Sequence, residues 1–286
     1  MLFKYLFQAM TTNCELQVIH GNKKTADFAA STVLREVKRL EKKYNFHSPT
    51  SYLSQKINNR ENDTLVLDEE TATLLNRVFN LSKECNDIFD ITVGTFSDCY
   101  KKKTIQEYNK CIEALKHYTG RTTFILEGNT LTFTNSFTKF DLGGVVKEYS
   151  IDVSKEILQK SSIFSALINY GGDIYALGVK EDGTKWKVGI KNPSNPKLNI
   201  KSIELSNKAL TTSAHYERKR KIGKKEVSHI IPSKNAASSS LIQSTVISDS
   251  VLESGIYSTS FLIDERINVR KGIEVFNIQK GLKIIT

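Results

Sequence analysis

An α+β fold is predicted by three features of this chain. Helical apolar spacing dominates to about residue 120, strand-like alternation takes over from about residue 121, and the two mix without the rhythm of a doubly wound sheet. A helix-rich part followed by a strand-rich part is a two-lobe layout. Neither an internal repeat nor a low-complexity linker separates the parts.

Residues 1–10 are apolar but too short for a signal peptide or a membrane span, and they run into an alternating strand over 12–20. With no export address in the sequence, the alternatives are a cytoplasmic location or a leader outside the given residues. Residues 25–44 predict an amphipathic helix with Val33, Val37, Leu40 and Tyr44 on one face. Turn chemistry follows over 46–51, including His47. Asp68 can cap a second helix carrying Leu74, Leu75, Val78, Phe79 and Leu81, ending near Asn86 and Asp87. Residues 88–94 form an apolar segment with one carboxylate, Asp90, and a closing Gly94. A short helix is predicted over about 104–117, and Gly128-Asn129 reads as a hairpin turn.

Residues 140–152 read as strand, glycine turn and helix. Phe140 and Leu142 flank Asp141, Gly143 and Gly144 permit a sharp turn, and Val146, Tyr149, Val153 and Ile157 recur at helical spacing. A helix start with bare glycine amides suits an anion. Asp141 can face a cation or accept hydrogen bonds, and Lys147 lies one turn in. The same pattern also fits a plain βα turn with a capping Asp. Strands are then predicted over 164–168, 174–179 and 186–190, with Asp182-Gly183 as a hairpin between the last two, and residues 192–196 break the pattern. Further strands are expected over 200–205, 208–212, 227–231, 241–247, 273–278 and 282–285. Asp249 or Ser250 can cap a helix to about Leu262 that contains Gly255.

The 286 residues, 39% hydrophobic and 25% charged, suit a globular protein with a sizeable core. The net charge of +10 is spread along the chain except at residues 218–225, which read as a basic hairpin tip. Those residues lack interleaved aromatics, so no nucleic-acid partner is expected. Cys14, Cys85, Cys99 and Cys111 show no C-x-x-C pair and no histidine at metal spacing. They are expected to be reduced and mostly buried, neither a zinc site nor a disulfide framework.

Several motifs stand in one order: Ala9-Met10-Thr-Thr, residues 51–58 ending in Asn58, Phe89-Asp-Ile-Thr-Val-Gly94 and Asp141-Leu-Gly-Gly-Val-Val-Lys147. Asn169-Tyr-Gly-Gly-Asp173, residues 186–193, Thr212-Ser-Ala-His-Tyr216, Ser228-His-Ile-Ile231 and Ser254-Gly-Ile-Tyr-Ser-Thr259 follow. Together they resemble the ApbE family, the FAD:protein FMN transferases, over nearly the whole chain. The resemblance implies a single domain over 1–286, with mixed or antiparallel sheets flanked by helices and two interleaved lobes with an FAD cleft between them. It implies Mg²⁺-dependent transfer of FMN from FAD to a Thr or Ser hydroxyl of an acceptor protein, through a phosphoester. The partners it implies are FAD and that acceptor, with no spanning of a membrane.

Residue by residue, the resemblance puts flavin and nucleotide contacts on Met10, His47, Ile88, Phe89, Asp90, Asp141, Lys147 and Ile231. It makes His229 the candidate base, an imidazole able to take the acceptor's hydroxyl proton. Asp173 can orient nearby groups or make an Asx-turn. Metal oxygens fall on Gly144, Ser258 and Thr259. The chain also departs from the pattern. Gly255 stands where the family carries a metal-binding Asp, Pro232-Ser-Lys-Asn-Ala follows the histidine strand, and Ala214-His215 replaces the usual end of the Thr-Ser-Gly turn. An FAD-binding homologue without transferase activity is therefore the alternative.

Overall fold

The computed structural model describes residues 1–215, 219–222, 225–228 and 239–285. The chain is α+β, as its patterns predict. In order it forms β1 (Leu2–Ala9), β2 (Thr12–Ile19), α1 (Lys23–Tyr44), β3 (Thr64–Val66), α2 (Glu69–Glu84), α3 (Ile105–Leu115), β4 (Phe124–Glu127), β5 (Thr130–Phe133) and α4 (Val146–Lys160). There follow β6 (Ala166–Tyr170), β7 (Asp173–Leu177), β8 (Trp186–Asn192), β9 (Asn195–Leu205), β10 (Lys208–Ala214), β11 (Lys219–Ile222), β12 (Lys225–Ser228), β13 (Leu241–Ser248), α5 (Val251–Ile263), β14 (Glu274–Gln279) and β15 (Ile284–Ile285).

Eight strands make one antiparallel sheet, ordered β1-β2-β6-β7-β10-β13-β14-β15. The first hairpin of the helix-rich part thus completes the sheet of the strand-rich part. One face of β2 and β6 buries Leu16, Val18, Ile168 and Tyr170 against Val33 and Val37 of α1 and Ile151 and Leu158 of α4. Across β7, Ile174 and Ala176 pack with Trp186, Val188 and Ile190 of the β8–β9 hairpin. With both faces covered, all of β7 is buried. A second core joins α2, the small sheet β3-β5-β4 and one side of α5, through Leu74, Leu75, Val78, Phe124, Leu131, Phe140 and Ile256.

Capping sets the helix ends. Asn22 accepts from the amides of Lys24 and Thr25, so α1 begins earlier than its apolar stripe. Asp68 caps α2 as expected, and Thr104 with Glu107 forms a capping box on α3. α5 is buried almost all round, and its N-terminus is held from two sides. Ser250 accepts from the amide of Glu253, while Asp152 of α4 accepts from those of Val251 (2.8 Å) and Leu252 (3.2 Å).

Three expectations are corrected. Asp182-Gly183 turns the chain but does not pair β7 with β8: β7 lies between β6 and β10, while β8 pairs with β9 outside the large sheet. Residues 192–196 contain a tight reversal, Asn192 opposite Asn195, which joins β8 to β9. The cysteines are not all reduced. Cys99 and Cys111 form a disulfide with Cα atoms 5.5 Å apart, because α3 folds back over the short turns that precede it, while Cys14 and Cys85 are free and buried. α3 has no buried side chain among the described residues, so the bond replaces an apolar anchor.

Candidate functional site

The site is built from backbone turns. Met10 and Thr11 both take positive φ, 52° and 58°, in the two-residue turn between Ala9 and Thr12. Glu41 of α1 fixes that turn, accepting from the Met10 amide at 2.6 Å. Met10 itself packs against both the sheet core and the α2 core, which places it where the two meet. Gly171 and Gly172, also at positive φ, turn β6 into β7. A Cβ at Gly171 would lie 2.3 Å from Thr12 Oγ1, so only glycine lets the two turns abut. A cleft of about 600 Å³ opens beside them, with Thr12, Gly171, Gly172, Lys187, Lys191 and Thr212 on its walls.

The segments carrying Asp90 and Asp141 run side by side. Asp141 N donates to Ile91 O at 2.7 Å, and Val93 bridges Lys139 in parallel. A Cβ at Gly94 would meet Lys139 O at 2.8 Å, which explains the closing glycine. Asn58 braces the same strip, its amide donating to Phe140 O (2.9 Å) and accepting from Phe140 N (2.8 Å). Asp141 Oδ1 accepts from Gly143 N at 2.8 Å, and the Phe89 ring lies 3.7 Å from the place of a Gly144 Cβ. Ile88 is buried in the α2 core. Burial raises the Asp90 carboxyl above its ordinary range, although Thr92 donates to Oδ1 through both its amide (2.8 Å) and its hydroxyl (2.6 Å). Asp141 and Gly143 thus form an Asx-type turn with Phe89 laid on it, but the expected strand and capping Asp are corrected: no strand precedes the turn, and α4 begins at Val146 after Val145 with no side-chain cap.

In the first turn of α4 lies a buried ionic cluster. Lys147 pairs with Asp173, and its Nζ stands 3.7 Å from Glu148 Oε1. Asp173 is 2% exposed and Glu148 6%. Burial, with the Asp173 charge adding to it and Lys147 opposing, pushes the Glu148 carboxyl up to about 7. Glu148 faces α5, and a Cβ at Gly255 would lie 2.7 Å from its Cγ. Further along α5, Ser258 Oγ donates to Gly255 O at 3.1 Å. Ser213 Oγ of β10 lies 2.9 Å from Ser258 Oγ and 3.1 Å from Thr259 Oγ1.

Met10, Ile88, Phe89, Asp90, Asp141 and Gly144 therefore lie in or against the second core and its glycine turn, with Lys147 one turn beyond. Ser258 and Thr259 stand together on α5. His47 is exposed on its loop, edge-to-face with Phe46 at 5.4 Å between ring centroids. His229 and Ile231 lie outside the described residues. Among the described residues no three His, Cys, Asp or Glu side chains gather as a metal cage, and no helix is long and apolar enough to cross a membrane. Sequence reasoning passed over Glu148, Glu41 and Ser213. A charged residue between Val146 and Ile151, on a helix that must bury one face, was the available signal for Glu148.

The glycine turn thus leads directly into the first turn of α4 and its lysine–carboxylate cluster. The chain belongs to the ApbE family, whose model matches residues 10–285. It is similar to the FAD:protein FMN transferase of Vibrio cholerae serotype O1, 23% identical over 265 residues that cover 89% of this chain and 76% of that protein. Among solved structures, it matches the ApbE protein of Thermotoga maritima at a TM-score of 0.87 and 22% identity, covering 100% of this chain and 96% of that one. It also matches the flavin transferase ApbE of Vibrio cholerae at 0.81 and 20% identity, covering 98% and 94%. These likenesses agree on the α+β fold.

Proposed function

We propose that this chain is an FAD:protein FMN transferase that joins FMN, through a phosphoester, to a Thr or Ser hydroxyl of an acceptor protein. The observation that carries the reading is the double-glycine turn, with Phe89 laid on Gly144, Asp141 closing the turn and Lys147 held by Asp173 one helical turn away. Met10, Ile88 and Phe89 offer apolar surface to the rings of FAD, and His47 offers stacking from its loop. Asp90 and Asp141 accept from nucleotide or flavin edges, Lys147 approaches the diphosphate, and Ile231 completes the set. In the reaction the acceptor oxygen forms a bond to the FMN phosphorus, the bond from that phosphorus to the AMP oxygen breaks, and AMP leaves. His229 takes the hydroxyl proton.

Magnesium, when bound, neutralises charge on the diphosphate. The Gly144 carbonyl and the Ser258 and Thr259 hydroxyls are the oxygens of this chain that would hold it. All three are uncharged, and hard cations favour sites that include a carboxylate. The buried, unpartnered Glu148 Oε2 beside Gly255 meets that requirement, so the residues present fit the ion.

The absence of a carboxylate at Gly255 favours one second reading, an FAD-binding homologue that does not transfer. Incubation with FAD and Mg²⁺, with AMP release followed by chromatography, decides between them. Mg²⁺-dependent AMP release, with flavin appearing on a Thr- or Ser-bearing acceptor, is the expected result. Tight FAD binding without AMP release would overturn the transferase reading.

A further inference from the structure

We propose that Glu148 of α4 supplies the carboxylate of a divalent-cation site on α5, in place of the side chain that Gly255 lacks. The inference deepens the transferase reading and rests on it for the identity of the cation. Gly255 precedes Ser258 and Thr259 by three and four residues, so space beside it lies on the side of α5 that carries their hydroxyls. That space is filled from the neighbouring helix: a Cβ built at Gly255 would stand 2.7 Å from Glu148 Cγ and 3.5 Å from its Cβ and Cδ.

The carboxylate placed there is short of cations. Glu148 is 6% exposed, and its Oε2 has no hydrogen-bond partner among the described residues. Lys147 is already paired with Asp173 and stands 3.7 Å from Glu148 Oε1, so one ammonium serves two buried carboxylates. A buried ionised oxygen without a donor is costly unless a cation meets it. An oxygen-seeking divalent ion would balance the charge and use the hydroxyls alongside. The other carboxylates on or near the start of α5 are committed. Glu253 is paired with Arg270, Asp249 with Lys208 at 2.7 Å, and Asp152 holds the helix amides. The rival account is that Glu148 and Asp173 share a proton and no ion binds.

Manganese(II), read by electron paramagnetic resonance and competed with Mg²⁺, is the probe, applied to the full chain. FAD affinity is measured in the same samples by flavin fluorescence. Glu148→Gln keeps shape and removes charge; it should weaken Mn²⁺ binding by about tenfold or more, while retained FAD binding in chelator shows that the variant is folded. Returning the carboxylate to α5, with Glu148→Gly and Gly255→Asp combined, should restore Mn²⁺ binding. Two outcomes overturn the assignment in favour of the shared proton: Mn²⁺ affinity unaltered in Glu148→Gln, or a wild type that binds FAD but no Mn²⁺. A wild type that binds Mn²⁺ through Glu148 but no FAD would sink the transferase reading and leave the cation site standing.

Discussion

Glu148 and Gly255 face each other across the α4–α5 contact so closely that the glycine's missing Cβ is the space taken by the glutamate's stem, 2.7 Å from Cγ. In an exposed helix, Gly255→Ala would stabilise by up to about 1 kcal/mol, through the greater helix propensity of alanine. Here the neighbour is a buried methylene with little room to withdraw, so overpacking should win and cost about 1–3 kcal/mol. In a Glu148→Ala background the same change should become neutral or stabilising. Urea denaturation of the four proteins gives the coupling; additive effects would mean that the two residues do not share this space.

That pair also marks the limit of what the sequence reveals. Features set by near neighbours are legible: the stripe Val33, Val37, Leu40 and Tyr44 is buried as predicted, Asp68 and Ser250 cap their helices, and Gly128-Asn129 turns β4 into β5. The glycine-turn residues Asp141, Gly143 and Gly144 come together for the same reason, lying within one four-residue stretch. Features set by distant pairing are not legible. Turn chemistry at Asp182-Gly183 says that the chain reverses, but not that β7 takes β10 as its neighbour while β8 turns to β9. The Cys99–Cys111 bond depends on where α3 folds back, and Glu148 meets Gly255 only once two helices have packed.

Asp152 is the second device that fixes α5. Its buried carboxylate accepts from two helix-start amides of a different helix, and Arg77 lies 3.6 Å away. Asp152→Ala should cost about 2–4 kcal/mol, since it removes a buried cap and leaves two amides unsatisfied. Because α5 carries Ser258 and Thr259, the Mn²⁺ binding proposed above should weaken as well. Asp152→Asn keeps an acceptor and should lose less of both. Chemical denaturation together with Mn²⁺ titration checks this, and equal losses in the two variants would contradict it.

The face joining α1 to α2 should govern acid stability. Burial alone would raise Glu70, but hydrogen bonds from Arg39 and Lys43 outweigh it and hold the carboxyl below its ordinary range. Asp68 is likewise lowered by Lys43 and Thr71 against its own burial. Carboxyls lowered in the folded state contribute stability that is complete above their unfolded values, near 4, and is lost as pH falls through the lower folded values. Lys43 is the shared cation, 2.9 Å from Asp68 Oδ1 and 2.6 Å from Glu70 Oε2. Lys43→Met should therefore cost about 1 kcal/mol at pH 7 and progressively less below pH 4. Thermal melts between pH 3 and pH 7 test this, and a penalty that does not depend on pH would refute it.

The thiols give the most direct check on the corrected cysteine pattern. Burial pushes Cys14 up to about 11 and Cys85 up to about 12, so neither presents a thiolate near neutral pH. Ellman's reagent should find almost no reactive thiol in the native protein, two after unfolding, and four after unfolding with reductant. Reducing the Cys99–Cys111 bond releases a loop whose closure is worth about 3 kcal/mol in the chain-entropy account. α3 has no buried side chain among the described residues to hold it once the bond is gone. Hydrogen exchange should therefore quicken over α3 on reduction, while β13 and α5, buried in the core, stay protected. Four reactive thiols in the unfolded, unreduced protein would show that the bond does not form, and unchanged exchange over α3 after reduction would show that it anchors nothing.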